Sequence, residues 1–132
     1  MTSHALILYR GKFLLILRDN KPDIPYPNLW APVGGNSLSG ELPEQTLRRE
    51  LKEEANLKVD NFTYLGDMEN DAHLFLVKIS TNDFRKIRKG AEGQKLEFFD
   101  FKRLQDLDLA AKFKNFLDKN HSAVKIAVKL IS

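Results

Sequence analysis

A three-layer α/β sandwich around one central mixed β-sheet is the architecture this sequence predicts. Three observations lead to it. Short β-prone runs separated by turn residues fill the N-terminal half and recur around KLEFFDF. One acid-rich segment with helical spacing interrupts them between Pro43 and Asn56. A second apolar stripe at helical spacing follows the last strand, so helices are available for both faces of the sheet.

The elements can be justified in order. His4 to Tyr9 and Lys12 to Arg18 read as two strands of a hairpin turning at Arg10-Gly11. The segment DNKPDIPYPN, Asp19 to Asn28, holds three prolines and is predicted to be a stiff loop. It reads as a pocket wall or a homodimer contact. Ala31 to Gly34 forms a brief strand that the glycines end. Pro43 suits the first helical position, Leu47 and Leu51 supply an apolar stripe, and Asn56 tolerates the left-handed backbone of a helix stop. Leu42 is a poor N-cap. Asn61 to Asp67 and Ala72 to Ser80 are two further strands joined at Glu69-Asn70-Asp71. Thr81 to Gly93 is polar and basic and reads mostly as loop, Lys95 to Phe101 as a strand, and Asp106 to Lys119 as an amphipathic helix. The closing SAVKIAVKLIS reads as a second helix, with a strand as the alternative.

Composition narrows the function. At 132 residues, 42% of them hydrophobic and 30% charged, the chain fits a single folded domain, 1–132, and not a disordered one. Cysteine is absent, which removes disulfides, thiol nucleophiles and zinc–thiolate sites and fits a reducing, cytoplasmic setting. No basic leader opens the sequence and no apolar run is long enough to span a bilayer, so no membrane partner is expected. Basic residues lack interleaved aromatics, which makes nucleic acid an unlikely partner. The tail lysines, Lys112 and Lys114 among them, read as solvated surface. His4, His73 and His121 show no metal spacing, and Trp30 reads as a core residue.

The most informative stretch is GGNSLSGELPEQTLRRELKEEANL. Residues three and four apart share a helix face, so Glu50, Glu53 and Glu54 project together. Like charges at that spacing repel, and hard carboxylate oxygens on adjacent turns suit Mg²⁺ or Mn²⁺. A charged surface helix accounts for one such glutamate but not for the whole register with the paired glycines.

From Gly35 to Leu57 the chain resembles the Nudix box, G-x5-E-x7-R-E-U-x-E-E-x-G-U, where U is aliphatic. Gly35, Glu41, Arg49, Glu50, Leu51, Glu53, Glu54 and Leu57 fall on their motif positions. Asn56 stands in place of the last glycine, a mild exchange because both accept positive φ. Gly90-Ala91-Glu92-Gly93-Gln94 resembles the loop of MutT-type members, in which an acid reaches the metal. The resemblance implies a Nudix fold, a Mg²⁺ cofactor that Mn²⁺ can replace, and hydrolysis of a nucleoside diphosphate linked to another group. It implies metal ligation by Gly35, Glu50, Glu53, Glu54 and Glu92, with Glu50 or Glu53 handling the attacking water. Arg49 is expected to pair with Glu41 or a neighbouring carboxylate, and Arg18 to contact a substrate phosphate. The small-molecule substrate nearest to the resemblance is a nucleoside triphosphate, converted to monophosphate and pyrophosphate. Nucleotide-sugar or dinucleoside-polyphosphate hydrolysis, or a non-catalytic nucleotide-binding module, are the alternatives.

Overall fold

The computed structural model describes residues 1–132, and its two tight hairpins follow from backbone conformation. Arg10 and Gly11 carry φ of 48° and 75°, and Asn70 and Asp71 carry 63° and 54°. Consecutive left-handed residues match the twist of the strands they join. The first pair links β1 (Thr2–Tyr9) to β2 (Lys12–Leu17), and the second links β4 (Thr63–Met68) to β5 (Ala72–Lys78).

With β3 (Trp30–Asn36) and β6 (Lys95–Asp100), these strands form a six-stranded sheet in the order β4-β5-β1-β3-β2-β6. Only β1 and β5 pair in parallel, so the sheet is mixed as expected. β3 pairs antiparallel with β2 through Trp30 to Pro32 and with β1 through Val33 to Asn36. β1 and β2 are themselves antiparallel between Ile7–Leu14 and Tyr9–Lys12. Three mutually antiparallel strands cannot share one flat sheet. The hairpin therefore splays beyond Ile7 and Leu14, and β3 runs in the opening.

Alternation along the strands sorts the core into two layers. Ala5, Ile7, Leu14, Ile16, Phe75 and Val77 face Leu47, Leu51 and Ala55 of α1 (Pro43–Ala55). Leu6, Leu8, Phe13, Leu15, Leu74 and Leu76 face the other way. There they meet Phe113, Phe116 and Leu117 of a long helix that runs from Ala111 to Ile131. Helices thus cover both faces, as the patterning predicts.

Several boundaries differ from the sequence expectation, each for a local reason. Thr81 to Lys86 is not loop but a short helix, α2. The Ser80 hydroxyl accepts from the Asp83 N–H and the Asp83 carboxylate accepts from the Ser80 N–H, both at 3.1 Å, a reciprocal cap that offsets weak propensity. Phe101 to Leu104 is not strand end but one helical turn, α3, capped by Asp100. The expected helix from Asp106 and the closing helix are one element, α4 (Ala111–Ile131), bent at Asn120 (φ −122°, ψ 22°). Its start lies later than predicted because Leu109 bridges to Trp30 and the Ala110 N–H donates to the Trp30 carbonyl at 2.8 Å. Those residues serve β3 before the helix begins.

At the weak N-cap of α1, Gln45 compensates, its side-chain oxygen accepting from the Leu42 N–H at 2.8 Å. Asn56 ends α1 in the left-handed region (φ 57°), and its amide group donates to the Lys86 carbonyl at 2.8 Å. Glycine could not make that tie between α1 and α2. Leu51 is fully buried between α1 and the sheet. Leu51→Ala should lower the unfolding free energy by about 2–5 kcal/mol, read as a shifted urea midpoint with unchanged slope.

Candidate active site

The site begins with two side chains that are not there. A Cβ on Gly35 would lie 2.7 Å from the Glu50 carboxyl carbon and 2.8–2.9 Å from its oxygens. One on Gly34 would strike the Ser3 carbonyl and sit 2.7 Å from Nδ1 of His4. The paired glycines let α1 press its carboxylates against β3. Gly34 then uses its N–H, donating to Oε2 of Glu54 at 3.1 Å. At Gly35 the Glu50 carboxylate takes the vacant side-chain position.

Arg49 organises the remaining acids. Its Nε and Nη2 donate to both oxygens of Glu41 at 2.9 and 3.0 Å, a bidentate pair. Nη2 also donates to the Asn36 carbonyl at 2.8 Å, and Nη1 to Glu50 at 2.9 Å and, more loosely, to Glu53 at 3.4 Å. The guanidinium thus ties the loop before α1 and the end of β3 to the helix. Arg49, with help from the Leu38 N–H, holds the Glu41 carboxyl down at about 2.

Glu50 and Glu54 are each only 8% exposed. Burial pushes the Glu54 carboxyl up to about 8, and the charges of Glu50 and Glu92 add to that against the opposing Gly34 N–H. Burial also raises Glu50, with Arg49 opposing. Carboxylates crowded out of water with one guanidinium among them are short of positive charge. That donor set, all oxygen and net anionic, fits a hard divalent cation. The carboxylates do not close on a common point in this structure. Glu50 is turned towards Arg49, Glu54 towards the Gly34 amide, and Glu53 stands largely in solvent.

Glu92 lines a cleft of about 210 Å³ together with Glu54, Gly34, Arg18, Lys21 and Ile24. The proline-rich loop is therefore a pocket wall. Two sets of bonds hold Glu92 there. On one side the Arg88 and Gly90 amides donate to the Ala55 and Glu54 carbonyls at 3.1 Å, filling open acceptors at the end of α1. On the other, the Gln94 side chain donates to the Arg18 carbonyl and to the Asn28 side chain, both at 2.8 Å. The Gly93 N–H donates to Asp19 at 3.1 Å. Arg18 directs Nε to the Pro25 carbonyl at 2.8 Å.

Two residues of this region were missed in the sequence. Lys112 is half-buried, not solvated surface: its Nζ lies 3.4 Å from Nε2 of His4 and 5.9 Å from the ring centre of Tyr26. The signal lay in helical spacing, since Lys112 stands one turn before Phe116 on the apolar stripe. His4, 7% exposed, is the floor behind Gly34. Burial, then the charge of Lys112, lowers its imidazole from 6.5 to about 3. Nε2 also lies 3.0 Å from the Thr2 hydroxyl, and Nδ1 is buried without a hydrogen-bond partner. Trp30 packs edge-on against Phe99 at 4.8 Å, in the core as expected.

Comparison with known proteins places this geometry. A NUDIX domain model matches residues 2–119. A MutT protein from Methanosarcina mazei Go1 is similar in structure, with a TM-score of 0.74 at 18% identity over 94% of each chain. An Ap4A hydrolase from C. elegans gives a TM-score of 0.71 at 23% identity, over 95% of this chain and 98% of that one. A bifunctional NMN adenylyltransferase/ADP ribose pyrophosphatase from Francisella tularensis, solved with AMP and a manganese ion, gives 0.63 at 19%. That match covers 89% of this chain and 41% of the larger protein.

The depressed His4 pKa has a sign that can be tested. The unfolded chain takes up this proton near 6.5 and the folded protein only near 3. The stability it contributes is complete above 6.5 and is lost as pH falls towards 3, by up to about 1.4 kcal/mol per pH unit. Urea midpoints of His4→Asn should fall less between pH 7 and pH 4.5 than those of the parent protein.

Proposed function

We propose that the chain, which belongs to the NUDIX family, is a hydrolase of phosphoanhydrides whose substrate is a nucleoside triphosphate, cut to monophosphate and pyrophosphate with Mg²⁺. The observation that carries this reading is the buried Glu54, which with Glu92 lines a cleft that also carries Arg18 and Lys21, with the buried Glu50 one helical turn before it on α1. An acid wall that needs a cation and a basic wall that needs an anion together fit a metal-bound polyphosphate.

Glu50, Glu53, Glu54 and Glu92, with the Gly35 carbonyl, are the groups that would hold the metal. Bound there, Mg²⁺ supplies charge neutralisation on the phosphate oxygens and lowers the pKa of a coordinated water. The chain's own residues do the rest. Arg49 keeps Glu41, Glu50 and the strand end in one rigid unit. Glu53 is held only loosely by Arg49 at 3.4 Å and is open to solvent, which supports it over Glu50 as the carboxylate that would accept a proton from the attacking water. Glu50 is committed to Arg49 at 2.9 Å and acts as ligand. Arg18 faces the cleft from the end of β2 and meets a substrate phosphate. The lack of cysteine supports a reducing, cytoplasmic setting.

No acid of the motif is lost, which weighs against a module that only binds. A panel of nucleotides incubated with Mg²⁺ and scored for pyrophosphate against orthophosphate tests the substrate. Glu54→Gln should keep the melting curve and lose roughly two to four decades of turnover. Near-normal turnover in a folded variant refutes the assignment. Chelation with EDTA should abolish activity, and Mn²⁺ should restore it.

A further inference from the structure

The two basic side chains of the cleft, Arg18 and Lys21, take their positions from backbone and not from acids. No ion pair of the protein includes either one. Both belong to the segment from Arg18 to Asn28, which contains no helix or strand and also lines the cleft through Asp19 and Ile24. Pro22, Pro25 and Pro27 leave this segment three amide donors short. Its own bonds close a neck, with the Arg18 N–H donating to the Leu29 carbonyl at 2.9 Å and the Asn28 N–H to the Asp19 carbonyl at 3.0 Å. Inside the loop, Arg18 Nε reaches the Pro25 carbonyl at 2.8 Å. The loop is thus a small closed unit, and whatever fastens it to the sheet decides where its charges lie.

Gln94 supplies that fastening. Both hydrogens of its one amide nitrogen are used at the neck, on the Arg18 carbonyl and on the Asn28 side-chain oxygen, each at 2.8 Å. A carbonyl only accepts, which fixes the nitrogen of Gln94 on that side and requires Asn28 to present its oxygen. Beside it the Gln94 N–H donates to the Leu17 carbonyl at 2.8 Å and the Gly93 N–H to Asp19 at 3.1 Å. A glutamate here would set acceptors against an acceptor, and a leucine would offer no donor at all. The acids of the cleft are anchored differently. Glu54 is part of α1, and the Glu92 loop is tied to the end of that helix by the Arg88 and Gly90 amides at 3.1 Å. A Cβ on Gly90 would strike the Glu53 carbonyl, so that contact has no slack. Loss of the Gln94 amide therefore frees the cationic loop and leaves the acids in place.

We propose that Gln94 is a positioning residue that clamps the proline-rich loop at its neck, holds Arg18 and Lys21 in the cleft, and so sets affinity for the substrate's phosphates and not for the metal. The phosphates come from the hydrolase reading above, whereas the clamp is present without substrate.

Hydrogen exchange of the ligand-free protein tests the clamp. In Gln94→Leu the Arg18 and Asn28 amides should exchange roughly five- to tenfold faster, as expected for the net loss of a hydrogen bond. Amides of β1 and β5 should keep the parent rates. Asn28→Asp, which retains an oxygen acceptor and tolerates the left-handed backbone (φ 58°), should keep slow exchange. Calorimetry then separates the two sides of the cleft. In Gln94→Leu, inorganic tripolyphosphate in Mg²⁺ buffer should bind more weakly by a similar factor, and Mn²⁺ alone should bind as in the parent protein. With nucleotide, KM should rise more than kcat falls. Melting curves confirm that each variant is folded. Parent exchange rates in Gln94→Leu, or faster exchange with unchanged tripolyphosphate binding, overturn the proposal. So does an equal loss of Mn²⁺ binding, which assigns Gln94 to the metal side. If no nucleotide is hydrolysed yet exchange and tripolyphosphate binding still depend on Gln94, the hydrolase reading fails and the clamp stands.

Discussion

Close approach of a helix to a strand, without side chains between them, is the constraint on which the molecule turns. Any Cβ at Gly35 would occupy the space of the Glu50 carboxyl group, and any at Gly34 would strike β1. With both absent, two carboxylates are carried out of water and set against backbone. Desolvation of that kind is costly unless opposite charge arrives. The local fold therefore builds a demand for a cation before any ligand is present, and Glu54 registers it in a raised proton affinity.

Arg49 keeps that demand from becoming a collapse. One guanidinium fork satisfies Glu41, braces Glu50 and seizes the carbonyl at the end of β3. Neutralisation is partial: Glu41 is fully matched while Glu54 is left to a single amide. In the cleft, Arg18 shows the reverse imbalance, a cation oriented by a neutral partner, the Pro25 carbonyl. Acid side chains, Glu54 and Glu92, and basic ones, Arg18 and Lys21, thus line one cleft.

How much of this was legible in the sequence depends on the range of each interaction. The register of Glu50, Glu53 and Glu54 on one helix face is local, and so are the left-handed turns at Arg10-Gly11 and Asn70-Asp71. Cover on both sheet faces was expected from two helical stripes, but β1, β2 and β5 are apolar on both sides, so the sequence does not say which residue faces which helix. Illegible were features made by distant partners. The insertion of β3 between splayed strands needs pairings with both β1 and β2. Gln94 reaches Asn28 across 66 residues, and Lys112 reaches His4 across 108. The helix at Thr81 was hidden for a different reason: its stability lies in a Ser80–Asp83 cap that average composition does not register.

The bend at Asn120 divides α4 into parts with different obligations. Its first half is pinned to β3 through Leu109 and Ala110 and sets Lys112 beside His4 and Tyr26. Beyond the bend the helix shows Ile126 and Leu130 to solvent and meets none of the cleft residues. Fraying or sequence drift in those last turns is thus mechanically insulated from the chemistry. Mutation can explore the solvent side of that end, Ile126 and Leu130, but not Val124, which is buried in the core. A slip of the first half by a single residue, by contrast, would carry Lys112 away from His4.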